Sequence, residues 1–164
     1  MPRSAPGHRA LRAGRISLPG QVYLTTTVCV DRIRLFADFE AACAAARVLG
    51  SPEAWYDAEV FAWVLMPDHL HALVQLGELP LHRVMQSVHS RAAIASNRAM
   101  KRTGAVWQGA FHEHALREDE SCLAAARYLI ANPLRAGLVT RVGDYPFWDA
   151  AWAPDTADPM DLLL

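Results

Sequence analysis

Two strand-like segments joined by only three residues constrain this chain more than any other feature of its sequence. Residues 55–65 and 69–76 are rich in aliphatic, β-branched and aromatic side chains, which is typical of strands. Parallel neighbours need a crossover of a dozen or more residues, and Met66, Pro67 and Asp68 leave no room for one. The two segments therefore predict an antiparallel hairpin, and with it an antiparallel sheet.

Helix-like and strand-like segments alternate around this hairpin. The predicted elements are, in order, a strand at 21–30, a helix at 39–49 capped by Asp38, the hairpin, a long amphipathic helix at 80–102, a loop and short strand at 105–116, and a helix from Asp119 or Ser121 to about Ile130. The apolar residues of the long helix that should face the sheet are Leu81, Val84, Val88 and Ile94. The order β-α-β-β-α-β-α indicates an α+β, ferredoxin-like fold, an antiparallel sheet with helices packed on one face.

The charged residues are distributed unevenly, although the net charge of the 164 residues is only −1. We expect a flexible basic arm at 1–15, one folded domain at 16–152 and a loose acidic tail at 153–164. The cations of two segments that lack acids are Arg3, Arg9, Arg12 and Arg15 in the arm, and Arg83, Arg91, Arg98, Lys101 and Arg102 in and after the long helix. Either segment alone is compatible with a solvated surface, but together they favour a polyanionic partner such as nucleic acid.

The cysteines and the hydropathy exclude several classes of protein. Cys29, Cys43 and Cys122 are odd in number and widely spaced, which argues against a disulfide framework and against a cysteine-based zinc site. No apolar run approaches the ~18 residues of a membrane span. We expect a cytoplasmic protein with no membrane partner.

His69 and His71 are the first candidates for chemistry. They lie two residues apart on a predicted strand, so their imidazoles should share one face of the sheet. Imidazole is the commonest protein ligand of metal ions, although two histidines at this spacing also occur by accident at a surface or in a core.

Tyr128 and Asn132 are the second candidates, because residues four apart share one face of a helix. Asn132 precedes Pro133, so it should end the helix with a non-helical backbone, and its amide oxygen suits Mg²⁺ or Mn²⁺. Tyr128 has the alternative of ordinary core packing. Two histidines and an amide oxygen would hold a divalent ion with open positions, beside which a phenol could attack phosphorus.

At this point the sequence resembles a known family, the REP-associated tyrosine transposases (RAYTs, where REP denotes repetitive extragenic palindromic sequences). His69, Leu70 and His71 look like the HUH motif (histidine, hydrophobic residue, histidine) of single-tyrosine transposases. The segments that carry the likeness are 66–74, 107–108, 111–114, 128–139 and 144–148. The resemblance extends from about residue 16 to residue 152.

The resemblance implies an HUH endonuclease fold and metal-dependent cleavage and strand transfer of single-stranded DNA at REP-like hairpins, for DNA transposition or repeat processing. Tyr128 would be the nucleophile and would form a 5′-phosphotyrosine bond. His69, His71 and Asn132 would hold Mg²⁺ or Mn²⁺. Asp68 departs from the family, which usually has Asn or Lys there, and the acid would either weaken phosphate binding or support the histidine behind the metal.

Other residues leave alternatives open. His112 and His114 form a second pair that predicts either another metal site or, as we favour, a structural or DNA-contacting role. Trp107 and Phe111 either stack on unpaired bases or pack in the core, and His82 and His89 are expected at the surface. A hairpin-binding protein without turnover and an unrelated zinc hydrolase are the competing functions, and the chain is compatible with a monomer or a homodimer.

Overall fold

The computed structural model describes residues 17–152, so the predicted arm and tail, with Arg3, Arg9, Arg12 and Arg15, lie outside the described residues. Its elements are β1 (Val22–Val28), α1 (Phe39–Leu49), β2 (Glu59–Met66), β3 (His69–Gln75), α2 (Leu81–Ala99), β4 (His112–Ala115), α3 (Cys122–Ile130), α4 (Asn132–Arg135) and β5 (Trp148–Ala150). The five strands form one antiparallel sheet in the order β4-β1-β3-β2-β5. The predicted α+β class is confirmed.

Local signals place the hairpin and α1 where the sequence predicts them. Met66 pairs with His69 across a two-residue turn, so β2 and β3 are antiparallel neighbours. The Asp38 carboxylate accepts a hydrogen bond of 2.9 Å from the Ala41 amide and caps α1, which ends at Gly50. Both features depend on residues close in sequence, which explains why a sequence pattern can locate them.

Helices cover both faces of the sheet, so the expectation of one covered face is wrong. Successive residues of β2 from Ala62 to Met66 are all buried, although neighbours on a strand point to opposite faces. Thr27 hydrogen-bonds to His89 of α2 on one face, whereas the adjacent Thr26 hydrogen-bonds to His71 on the other. The helices α1 and α2 cover the first face, and α3 covers the second, where it packs on β2, β3 and β5.

The expected surface of α2 is wrong at two positions. Ile94 was expected to face the sheet but is 59% exposed, because a residue six positions after Val88 points about 120° away from it around the helix. The buried stripe runs through Ala92 and Ser96 instead. His89 was expected at the surface, but its ring packs against Trp107 and Phe111 of the loop that follows α2.

The strand boundaries differ from the prediction on one side of the sheet. Pro52 opens a short 3₁₀ turn and Tyr56 adopts a left-handed backbone with φ of 56°, so β2 begins at Glu59 rather than at residue 55. The three residues of β5 are too few to show a period and were not predicted. No helix within residues 17–152 combines the length and the apolar character needed to cross a membrane.

Candidate active site

The two histidines of the hairpin meet on the face of the sheet that α3 covers. His69 and His71 are successive residues of that face of β3, and their rings lie edge to face with centroids 4.8 Å apart. This shared face is what the period-two spacing predicts. The geometry is compatible with both rings binding one ion.

Asp68 orients His69. One carboxylate oxygen lies 2.6 Å from His69 Nδ1, and the other lies 3.6 Å from an Arg32 guanidinium nitrogen. An Nδ1–H that donates to the carboxylate leaves the Nε2 lone pair of His69 for a metal ion. The contact supports a role for Asp68 in orienting the histidine, rather than only in weakening phosphate binding.

Thr26 orients His71 in the same way. The two residues face each other across β1 and β3, and Thr26 Oγ1 lies 2.8 Å from His71 Nδ1. Burial, with smaller contributions from the neighbouring His69 and Arg135, lowers the pKa of His71 to about 4, although a backbone hydrogen bond with Thr25 opposes the shift. His71 is therefore neutral near pH 7, which is the state that binds metal ions.

Pro133 and Asn132 together create the third candidate ligand. Pro133 has no N–H to donate to the carbonyl four residues earlier, that of Leu129. Asn132 Nδ2 donates to this same carbonyl at 2.8 Å, and so replaces the missing bond. The amide nitrogen is thereby engaged, and Oδ1 is the atom left for a cation. The expectation of a non-helical Asn132 is wrong, because it begins α4 with proline in the first turn, where a missing N–H costs little.

Tyr128 is an exposed residue rather than a core residue. Its side chain is 64% exposed at the end of α3, which excludes the core-packing alternative. The guanidinium carbon of Arg135 lies 3.8 Å from the centre of the Tyr128 ring, a cation–π contact.

The second histidine pair lies on the same face but on the edge strand. His112 pairs with Thr26 and His114 pairs with Leu24, so β1 separates both from the first pair. His114 Nε2 is 3.0 Å from Glu120. Among residues 17–152 no three His, Cys, Asp or Glu side chains are grouped so as to hold a metal ion. Glu120 lies beside His114, but within the described residues it does not complete a three-residue metal group with this pair.

The cations of the basic segment do not surround the histidines. The helix α2 lies on the opposite face of the sheet, where Arg83, Arg91 and Arg98 are exposed, as is Lys101 just beyond it. Arg102 donates to the Asn97 side chain at 3.0 Å and so braces the end of the helix. Trp107 and Phe111 are half-buried; Trp107 contacts Phe36, and its indole N–H donates to the His89 carbonyl.

Three residues of this site, Thr26, Arg32 and Arg135, were not predicted. Thr26 and Arg32 are brought in by strand register and by a loop, for which no local pattern exists. Arg135 follows Tyr128 by seven residues and reaches it because the chain bends between α3 and α4, which the spacing alone does not predict.

Comparisons with known proteins identify the family of this chain. The family model described as "Transposase IS200 like" matches residues 23–129, more than half of the chain. A REP-associated tyrosine transposase of Escherichia coli K12 is 28% identical over 116 residues, which are 61% of this chain and 66% of that protein. A Haemophilus influenzae protein assigned to the same transposases is 28% identical over 103 residues, 56% of this chain and 58% of its own length.

Solved structures show the same fold. A REP-associated tyrosine transposase bound to a REP hairpin superposes with a TM-score of 0.61 at 24% identity, covering 88% of this chain and 92% of that one. A Deinococcus radiodurans transposase structure has a TM-score of 0.52 at 16% identity, covering 77% and 92%. The resemblance drawn from the motifs is confirmed, and the chain belongs to the IS200-like transposase family.

Proposed function

We propose that this protein cleaves single-stranded DNA at REP-like hairpins and transfers the strand through a 5′-phosphotyrosine intermediate. One observation carries the proposal: an exposed tyrosine, Tyr128, is near the end of α3, which packs on β3, the strand of two histidines whose Nδ1 atoms are already engaged. A nucleophile must be reachable by its substrate, and metal-binding histidines need their second nitrogen held. Membership of the transposase family supports the same conclusion.

The reaction follows from the chemistry of a phenol. Tyr128 Oη forms a bond to the scissile phosphorus while the bond from phosphorus to the 3′ oxygen breaks. The phenol loses its proton to solvent and the departing oxygen gains one, which leaves a 5′-phosphotyrosine and a free 3′-OH. Attack by the 3′-OH of another strand reverses these steps, rejoins the DNA and restores the tyrosine.

The donor set fits a divalent ion such as Mg²⁺ or Mn²⁺. His69 and His71 would bind it through Nε2, since each Nδ1 is engaged, and Asn132 would bind it through Oδ1, since its amide nitrogen is engaged. When bound, the ion polarises the phosphoryl oxygens. All three ligands are neutral, so Asp68 is the nearest source of negative charge behind them.

The position of β4 indicates a path for the DNA. His112, Thr26 and His71 form one row across three strands, and adjacent strands lie about 4.8 Å apart. The row therefore leads from the edge of the sheet to the histidine pair over roughly 10 Å. The loop that carries Trp107 and Phe111 joins this edge to α2, whose cations would hold the phosphates of the hairpin stem on the other face.

A cleavage assay with a synthetic REP-like hairpin and Mg²⁺ tests the proposal. We expect the wild-type chain to form a covalent protein–DNA adduct and Tyr128→Phe to form none while binding the hairpin with little loss of affinity, because Phe lacks only the nucleophilic oxygen. Tyr56→Phe is the matched control, since Tyr56 is the other exposed tyrosine of the four in the sequence; Tyr23 and Tyr145 are buried.

The outcomes separate the alternatives. A gel shift without any adduct identifies a hairpin-binding protein without turnover. Cleaved products without an adduct identify a hydrolase. An adduct that persists in Tyr128→Phe and disappears in Tyr56→Phe would show that Tyr56, not Tyr128, is the nucleophile.

A further inference from the structure

The backbone between α3 and α4 bends so that Arg135 returns to Tyr128. Residues seven apart in a straight helix are separated by about 10.5 Å along its axis, which does not favour contact. Ala131 has a ψ of −2°, far from the roughly −42° of a regular helix, and the chain turns there. The turn brings the Arg135 guanidinium to 3.8 Å from the Tyr128 ring centre.

This contact leaves part of the guanidinium group available for another ligand. A cation–π contact uses the flat face of the group, whereas its N–H donors point outward within the plane. The planar edge of a guanidinium matches two oxygens of a phosphate. The Arg135 side chain is exposed, so a DNA strand can reach that edge.

The position of Arg135 places the N–H edge of its guanidinium group near the groups proposed to react. Asn132, the third candidate ligand, is three residues earlier in the same short helix, and the Tyr128 ring is in contact with the guanidinium group. A phosphate that is attacked by Tyr128 and lies beside Asn132 would therefore meet this cation.

We propose that Arg135 binds the scissile phosphate through its N–H edge while its face holds the Tyr128 ring. The inference rests on the proposed function, because it names the group that positions phosphate and nucleophile in that reaction. Arg135 thus contacts both reaction partners. Lysine would keep the charge but would lose both the planar face and the paired donors.

The test combines a change in the protein with a change in the DNA. Single-turnover adduct formation is measured at saturating hairpin, with a normal phosphate or a neutral methylphosphonate at the scissile position. Arg135→Gln, Arg135→Lys and Arg47→Gln are compared with wild type. Arg47 is an exposed arginine of α1, on the opposite face of the sheet, and controls for the loss of one charge. Thermal unfolding midpoints of all four proteins check that each is folded.

We expect Arg135→Gln to slow adduct formation on the order of 100-fold with the normal phosphate. Other enzymes lose a similar factor when one hydrogen-bond donor to the charge of the transition state is removed. With methylphosphonate DNA the same variant should lose less than about threefold, because the charge that the arginine meets is gone. Arg135→Lys should be intermediate, and Arg47→Gln should equal wild type.

Two results overturn the inference alone. The first is wild-type adduct formation by Arg135→Gln, and the second is an equal loss on both DNAs, which would mean that Arg135 only shapes the local structure. Absence of any adduct from the wild-type chain overturns the proposed function and this inference with it.

Discussion

Asp68 is the residue that brings negative charge to the candidate metal site. Its carboxylate is 2.6 Å from His69 Nδ1, and the three candidate ligands are all neutral. Hydrogen-bond partners behind metal-bound histidines, carboxylates among them, commonly contribute about 10- to 100-fold in metal affinity. The negative charge of Asp68 should therefore raise affinity for a divalent cation at His69.

Asp68→Asn is accordingly expected to weaken Mn²⁺ binding by roughly 10-fold, because asparagine accepts the same hydrogen bond without the charge. Isothermal titration of the full chain with Mn²⁺ measures this. Asp31→Asn is the matched control: Asp31 is exposed, and its φ of 52° suits asparagine. Equal affinities of the wild-type and Asp68→Asn chains would show that the carboxylate has no influence on the ion.

The helix α2 carries arginine side chains that are exposed and make no contribution to the packing of the fold. Arg83 and Arg91 are exposed on this helix, whereas Arg102 braces its end. Each phosphate contact releases counterions, so log affinity falls with log salt by about 0.7 per contact for single strands and 0.9 for duplex. A change in this slope therefore counts the contacts that α2 makes.

The double variant Arg83→Gln/Arg91→Gln is expected to reduce the salt slope of hairpin binding by about 1.5. Unfolding stability should not change, since neither side chain is buried. A chain that begins at Ile16 measures the contribution of the arm in the same titration, and Arg47→Gln again controls for charge. A slope that only the arm deletion reduces would assign the phosphate contacts to residues 1–15 instead.

At the scale of the whole molecule, buried histidines make stability depend on pH. Burial lowers the pKa of His89 to about 4, from an ordinary value of 6.5. The unfolded chain therefore takes up a proton as the pH falls through 6.5, before the folded chain does near pH 4. Stability is thus full above about pH 6.5 and declines toward pH 4, by up to about 3 kcal/mol from this residue.

His89→Gln should flatten this decline, because glutamine can still meet Thr27 Oγ1 and does not titrate. Urea unfolding of wild type and variant between pH 7 and pH 4 measures the difference. His82→Gln, an exposed position seven residues earlier on α2, is the control. Parallel stability curves for His89→Gln and wild type would contradict the assignment of the acid sensitivity to His89.

Element boundaries were predictable where the signal was local. The helix α1 runs from Phe39 to Leu49 as expected because Asp38 caps it and Gly50 ends it. The prediction of Ile94 as a buried residue was wrong, because the buried face of α2 continues from Val88 through Ala92 and Ser96. β5 needed partners on β2 to become a strand, and three residues have no pattern of their own.

Spacing along the chain was enough to predict the hairpin and the shared face of His69 and His71, since each depends on residues of one element or on a short connection. Tyr128 and Asn132 are four residues apart but belong to two helices, α3 and α4, so their relation depends on the bend between them. The partners of the candidate ligands also follow from the tertiary structure. Thr26 reaches His71 through the register of two strands far apart in sequence, and α2 lies on the face opposite the histidines. Such relations depend on how layers pack and where the chain bends, as at Ala131, and no period along the chain encodes them.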